Sequence, residues 1–299
     1  MPTNEQRRQA AKRKLDRQLE RRAARAKRRR QLVVSLSAVG VVLAIGVIAL
    51  IVVITRGGGS DAAASSSSSA APTTTAAPSS TEPAAPLPTV RKTPLAASVD
   101  CAYPVTAGRE AAKPNTPPST TGVSAEGTVD VTMATSQGGI GLTLNKALSP
   151  CTVNSFLSLA KQSYFDNTPC HRLVTSGIYV LQCGDPTGKG TGGPGYGFAN
   201  EFPTDQYAAG DASAKQPANY PRGTIAMANS GAANSNGSQF FLLYKDSPLP
   251  PQYTVFGTID APGLAVIDKV AAGGDDGSMS AGGGAPKIPV TITSMKAKA

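Results

Sequence analysis

Residues 170–185 read CHRLVTSGIYVLQCGD. Two apolar runs, CHRLV at 170–174 and IYVLQCG at 178–184, flank a Thr-Ser-Gly break, the pattern of two strands joined by a turn. Side chains alternate along a strand, so Cys170 and Arg172 share one face while His171 takes the other. In the second run Val180 and Gln182 share a face, and pairing as a hairpin makes Arg172 and Gln182 neighbours. Cys183 then points oppositely to Cys170, so a direct bridge between them requires a bulge. His171 is the only histidine of 299 residues; facing away from Arg172, it reads as a packed or hydrogen-bonded structural residue.

Outward from this hairpin the same grammar continues. TVDVTMAT (128–135) alternates with Val129, Val131 and Met133 on one face, and a Gly-Gly turn at 138–139 leads into IGLTLN. SPCTVNSFLSLAKQSYF (149–165) predicts a helix with Ser149 as N-cap, Pro150 at the first position and a buried stripe of Val153, Phe156, Leu157, Leu159 and Ala160. GTIAMAN (223–229), SQFFLLY (238–244), YTVFGTI (253–259) and a closing KIPVTITSMK (287–296) read as strands. GLAVIDKVA (263–271) is a short amphipathic helix with Leu264, Ile267 and Val270 inward. Many strands with two helices predict a β-dominated antiparallel sheet closed into a barrel, its open ends covered by the helices.

Several chemistries are excluded by the residues present. One histidine and no clustered Cys, Asp and Glu set argue against a metal centre. NGSQF does not fit a Gly-x-Ser-x-Gly nucleophile turn, and GDPTGKGTGG breaks the spacing of a phosphate-binding loop. No pair of carboxylates stands on facing apolar strands, which disfavours glycoside hydrolysis. What is left is an arginine on a strand beside amides and apolar surface.

Three blocks now carry a resemblance: CHRLV…VLQCGDPTGKGTGGPGYGFANEF (170–202), PRGTIAMANSGAANSNGSQFFLLY (221–244) and YTVFGTI (253–259). In this order they resemble a cyclophilin-type peptidyl-prolyl cis-trans isomerase of the membrane-anchored bacterial, actinobacterial-like kind, over about residues 126–299. The resemblance implies a closed eight-stranded antiparallel barrel capped by two helices, and rotation about X-Pro bonds as the activity. It implies Arg172 and Gln182 as catalytic residues, with Tyr179, Val180, Ala228, Asn229, Gln239, Phe241, Leu249 and Tyr253 lining the substrate site. No cofactor or metal is implied. The sequence departs from the common pattern in four places. The loop between Arg172 and Gln182 is two residues longer, NSGAANSNG is one longer, Tyr253 replaces the usual pocket histidine, and the usual tryptophan falls near Pro248. The chain has no tryptophan, which implies weaker binding of the cyclic immunosuppressant cyclosporin. The lengthened loops keep open a catalytically weak module that binds proline-containing peptides or acts as a tethered chaperone.

The rest of the chain is of another kind. Of 29 basic and 19 acidic residues, 13 and three fall in residues 1–31, so the net +10 belongs to that tail and the remainder balances. Leu32–Ile54 is an uncharged run of 23 residues, long enough to span roughly 30 Å of hydrocarbon and too long for a signal-peptide core. It predicts a single transmembrane helix, with the basic tail cytoplasmic near anionic lipid and the C-terminal domain extracytoplasmic. Nucleic acid is not an expected partner. Residues 55–98, rich in Ala, Ser, Thr and Pro, form an expected disordered linker, followed by an irregular lead-in at 99–125 and a monomeric domain at 126–299. On that side of the membrane the cysteines, Cys101, Cys151, Cys170 and Cys183, are permitted to form disulfides, with three full pairings open. The expected substrates are X-Pro segments of secreted or envelope proteins.

Overall fold

Strand-forming runs and turns alternate through the described part of the chain, residues 84–298 apart from Ala209 in a computed structural model. The basic tail, the apolar run 32–54 and most of the expected linker lie outside the described residues. Among the described residues no helix is long and apolar enough to cross a membrane. In chain order the elements are β1 (Ala85–Pro86), β2 (Ser98–Val99), β3 (Val123–Ser124), β4 (Thr128–Thr135), β5 (Gly138–Asn145) and α1 (Pro150–Lys161). Next come β6 (Thr168–Pro169), β7 (Arg172–Val174), β8 (Val180–Cys183), β9 (Ala218–Tyr220), β10 (Thr224–Met227) and β11 (Phe240–Leu243). The last are β12 (Ser247–Leu249), β13 (Val255–Ile259), α2 (Ala261–Ala272) and β14 (Thr291–Ala297). The domain is β-dominated with two α-helices, as the sequence predicts.

The main sheet has the order β6-β14-β4-β5-β13-β10-β11-β8-β7. Its first and last members are consecutive pieces of one run, Thr168–Val174, interrupted only at Cys170 and His171. The sheet therefore curls until its two ends meet in a single stretch of chain. β4 and β5 alternate buried and exposed residues, because one face packs inward and the other meets solvent. β10 and β11 are buried at every position, which is why TIAM and FFLL read as continuous apolar runs.

Two apolar clusters explain that difference. The larger one joins the inward side chains of the sheet to α1 and α2 through Val153, Phe156, Ile267 and Val270. Phe156 is its centre, with ring centroids 5.1 Å from Phe165, 5.3 Å from Phe240 and 5.3 Å from Phe256. The second cluster lies on the opposite face of β8, β10 and β11 and contains Val180, Ala226, Phe241 and Leu249. Consecutive residues Phe240 and Phe241 thus serve different cores, as a period of two demands.

Several local expectations change. The β4–β5 turn is Ser136–Gln137, not Gly138–Gly139; both glycines pair as ladder rungs with Thr135 and Ala134. Ser149 does sit at the N-cap of α1, but its hydroxyl donates to the Val255 carbonyl at 2.7 Å and caps nothing. The distant Glu201 replaces it: its carboxylate accepts from the N–H groups of Cys151 and Thr152 and from the Thr152 hydroxyl, at 2.6–3.0 Å. An anion is well placed at a helix N-terminus. Burial pushes the Glu201 carboxyl up, while these bonds and Arg91 pull the other way.

The expected linker is shorter than 55–98. β1 pairs in parallel with β9, Leu87 packs into the second cluster, and Arg91 meets Asp205 at 2.7 Å. The irregular lead-in is tied to the first turn of α1 by a Cys101–Cys151 disulfide, and the second bridge joins Cys170 to Cys183. The strand break at Cys170–His171 turns Cys170 into the larger cluster with Cys183, which removes the parity conflict.

Replacing Glu201 by Ala is expected to cost about 1–2 kcal/mol, the usual worth of a lost N-cap. Thermal unfolding of the full-length protein should show Tm lower by several degrees, and an unchanged Tm would remove Glu201 as the cap.

Candidate functional site

Strand register alone assembles the face on which the predicted residues meet. Arg172 pairs with Gln182, Gln182 with Phe241, Phe241 with Ala226, and Ala226 with Val255. These partners form one row running across β7, β8, β11, β10 and β13. A second row two residues along, Val174–Val180–Leu243, lies beside it. The face is apolar except at one end, where Arg172 and Gln182 stand at its rim, both part-buried.

Arg172 Nη1 donates to Gln182 Oε1 at 3.4 Å, Gln182 Nε2 to Gln239 Oε1 at 2.9 Å, and Gln239 Nε2 to the Gly192 carbonyl at 2.9 Å. The Gly192 N–H in turn donates to Asp185 at 3.0 Å. From the guanidinium through the two glutamine amides to the Gly192 carbonyl every donor points the same way, so these bonds polarise one another. Burial alone would raise the Asp185 carboxyl. The bonds from Gly192 and Thr187 outweigh it and hold the group below its ordinary value.

The Phe241 ring meets Tyr253 edge-on at 5.4 Å between centroids. Leu249 stands on β12, and Leu249, Tyr253 and Ala228 all join the second cluster with Val180. Tyr253 is pinned by Tyr220, whose hydroxyl donates to the Tyr253 carbonyl at 3.0 Å. Asn229, just past the end of β10, is fixed by its own side chain, which donates to the Gln252 carbonyl at 2.8 Å and to Asn200 at 3.3 Å. Pro248 is exposed beside Asn219.

Tyr179 is not brought into this group. It lies just before β8, packed against the larger cluster, edge-on to Tyr244 at 5.9 Å between centroids and covered by the Lys245 ammonium at 4.6 Å. Ile178 packs against the second cluster instead. Extending the Val180–Gln182 alternation by one step would have found it. Ala226 and Tyr220 were also missed: an alanine inside an apolar run and a tyrosine two residues before Arg222 carry no distinguishing signal.

His171 is buried next to Gly190, and both its ring nitrogens lack a hydrogen-bond partner among the described residues. Burial lowers its pKa, Arg172 adds to that, and Asp185 opposes it. Among the described residues no group of three or more His, Cys, Asp or Glu is placed to hold a metal ion.

A family profile described as "Cyclophilin type peptidyl-prolyl cis-trans isomerase/CLD" matches residues 129–297. A protein of Mycobacterium leprae named "Probable peptidyl-prolyl cis-trans isomerase B" is 59% identical over 300 residues, covering 99% of both chains. One of the same name from Mycobacterium tuberculosis is 54% identical over 302 residues, covering 99% of this chain and 94% of that one. A crystal structure of a Cryptosporidium parvum cyclophilin type peptidyl-prolyl cis-trans isomerase aligns with 58% of this chain and 99% of its own, at 27% identity and a TM-score of 0.47.

A histidine whose folded pKa lies below its unfolded value of 6.5 binds fewer protons folded than unfolded as the pH falls below that value. Stability is therefore expected to drop on acidification from about pH 6.5, by at most about 1.4 kcal/mol per pH unit from this group. His171→Leu should remove that part of the loss while leaving the steeper carboxylate loss below about pH 4. Tm measured against pH for both proteins checks it; parallel curves between pH 5 and 7 would contradict it.

Proposed function

The chain belongs to the cyclophilin-type peptidyl-prolyl cis-trans isomerases, and on that footing we propose that Arg172 stabilises the twisted X-Pro amide over an apolar proline pocket. The protein is a peptidyl-prolyl cis-trans isomerase; the proposal concerns how its own residues do the work. The observation that carries it is the cross-strand row that sets the Arg172 guanidinium two strands from the Phe241 ring.

Rotation about an X-Pro bond crosses a barrier of roughly 18–20 kcal/mol because amide resonance must be broken. No bond to the enzyme forms. A site accelerates the rotation only by binding the twisted amide better than either planar form. Phe241, Leu249, Val180 and Tyr253 hold the proline ring, and the backbone at Ala228 and Asn229 aligns the chain on either side. Gln182 and Gln239 orient the polar rim. As resonance is lost the prolyl nitrogen recovers a lone pair, and an N–H of Arg172 donates to it. That bond exists only near the transition state, so it lowers the barrier without tightening the ground state. A permanently charged guanidinium with a rigid array of donors suits the task better than a lysine would.

The same proposal reads the curled sheet as a closed barrel of eight strands, with Thr168–Val174 as the strand that closes it. It places residues 32–54 across the membrane as a single anchor, the basic tail at anionic lipid on the cytoplasmic side, and the monomeric isomerase domain outside. Its substrates there are accessible X-Pro segments of exported chains, whose folding waits on this isomerisation. Nucleic acid is not among its partners.

Arg172→Ala is expected to lower turnover about 10²-fold, as for loss of one oriented transition-state donor, with Tm within a few degrees of wild type. A protease-coupled assay on an Ala-Pro peptide measures it, and unchanged turnover sinks the assignment of Arg172. Wild-type protein that binds the peptide without turnover would favour the weak, chaperone-like alternative. In cell fractions the full-length protein should stay with membranes through an alkaline wash; release into the wash would overturn the anchor.

A further inference from the structure

Arg172 is gripped from a side that the sheet does not supply. Its Nε donates to the Gly282 carbonyl at 3.0 Å and its Nη2 to the Ala281 carbonyl at 2.8 Å. These two N–H groups form the parallel fork of a guanidinium, so two carbonyls fix both its position and its plane. Both acceptors belong to the glycine-rich connection between α2 and β14.

That connection is built rather than loose. The Asp276 carboxylate accepts from the N–H groups of Ser278 at 3.0 Å and Ala285 at 2.8 Å, closing the loop at its neck. Inside the neck, Met279 N–H donates to the Gly283 carbonyl and Gly282 N–H to the Met279 carbonyl, each at 3.0 Å. The loop also docks on the strand that bears the arginine. Leu173 and Gly284 exchange both backbone hydrogen bonds, at 2.7 and 3.0 Å. Gly283 has φ +72°, and a Cβ there would collide with the Leu173 carbonyl. A further tie runs to the lengthened β7–β8 connection, where the Thr175 hydroxyl donates to Asp275 at 2.8 Å.

We infer that residues 275–286 form a positioning loop for Arg172, organised by Asp276, which sets the rate of isomerisation on the enzyme without touching substrate. The inference rests on Arg172 being the donor to the prolyl nitrogen. A guanidinium held only by Gln182 at 3.4 Å would sample several rotamers, and a misplacement of about 1 Å is enough to cost up to roughly a hundredfold in rate. Asp276 and Thr175 lie outside the apolar pocket, so their loss acts on Arg172 and leaves the binding surface in place.

The test uses full-length protein and exchange NMR on an Ala-Pro peptide, which separates the on-enzyme exchange rate from peptide affinity. Asp276→Ala is expected to slow exchange about tenfold with Kd within twofold. Asp276→Asn, whose amide oxygen still accepts both N–H bonds, should restore most of the rate. Thr175→Val removes one tie between two surface loops and is expected to slow exchange about threefold. It carries the test alone if Asp276→Ala fails to fold. In an Arg172→Ala background neither substitution should change the residual rate. Unchanged exchange in the loop variants, beside a slow Arg172→Ala, overturns the positioning loop and leaves the role of Arg172 standing. A full-rate Arg172→Ala overturns the underlying reading instead. Equal losses in both backgrounds would make the loop merely structural and also overturn the inference.

Discussion

The site depends on one constraint, the antiparallel register that sets Arg172 opposite Gln182, Gln182 opposite Phe241 and Phe241 opposite Ala226. With a period of two, a slip of one residue in any of these strands would turn its whole set of side chains to the other face. Phe241 would exchange places with Phe240, which the larger core already uses to meet Phe156. The inner core therefore enforces the outer site. Packing Phe240, Leu181 and Leu173 inward leaves Phe241, Gln182 and Arg172 nowhere to point but outward.

Polar order follows from the same register. Gln182 and Gln239 stand close enough to pass one amide hydrogen bond between them, and the bond to Gly192 fixes which way both amides face. The Arg172 guanidinium at one end and the Gly192 carbonyl at the other align the two amides. The protein itself thereby holds both amides in one orientation.

Much of this was readable from residue order. Alternation in TVDVTMAT follows from period-two arithmetic, as does the shared face of Arg172 and Gln182 once their strands pair, and the two helices follow from apolar spacing. The parts that resisted reading share a cause: they depend on groups far apart in sequence or on backbone atoms. Nothing near Ser149 announces that Glu201 will cap α1. The turn at Ser136–Gln137 was obscured because glycines 138 and 139 look like the turn yet serve as rungs. The Arg172 grip is made by carbonyls of Ala281 and Gly282, and a carbonyl is the same in every residue, so composition is silent about it. Tyr179 followed the resemblance, whereas its strand's alternation pointed to Ile178.

The curl of the main sheet has a consequence for association with other chains. A sheet that starts and finishes in the single run Thr168–Val174 exposes no long margin of unpaired N–H and C=O groups. Among the described residues, another chain therefore finds no long free edge on which to lengthen that ladder. Closure of the main sheet on itself thus acts as protection against edge-to-edge association.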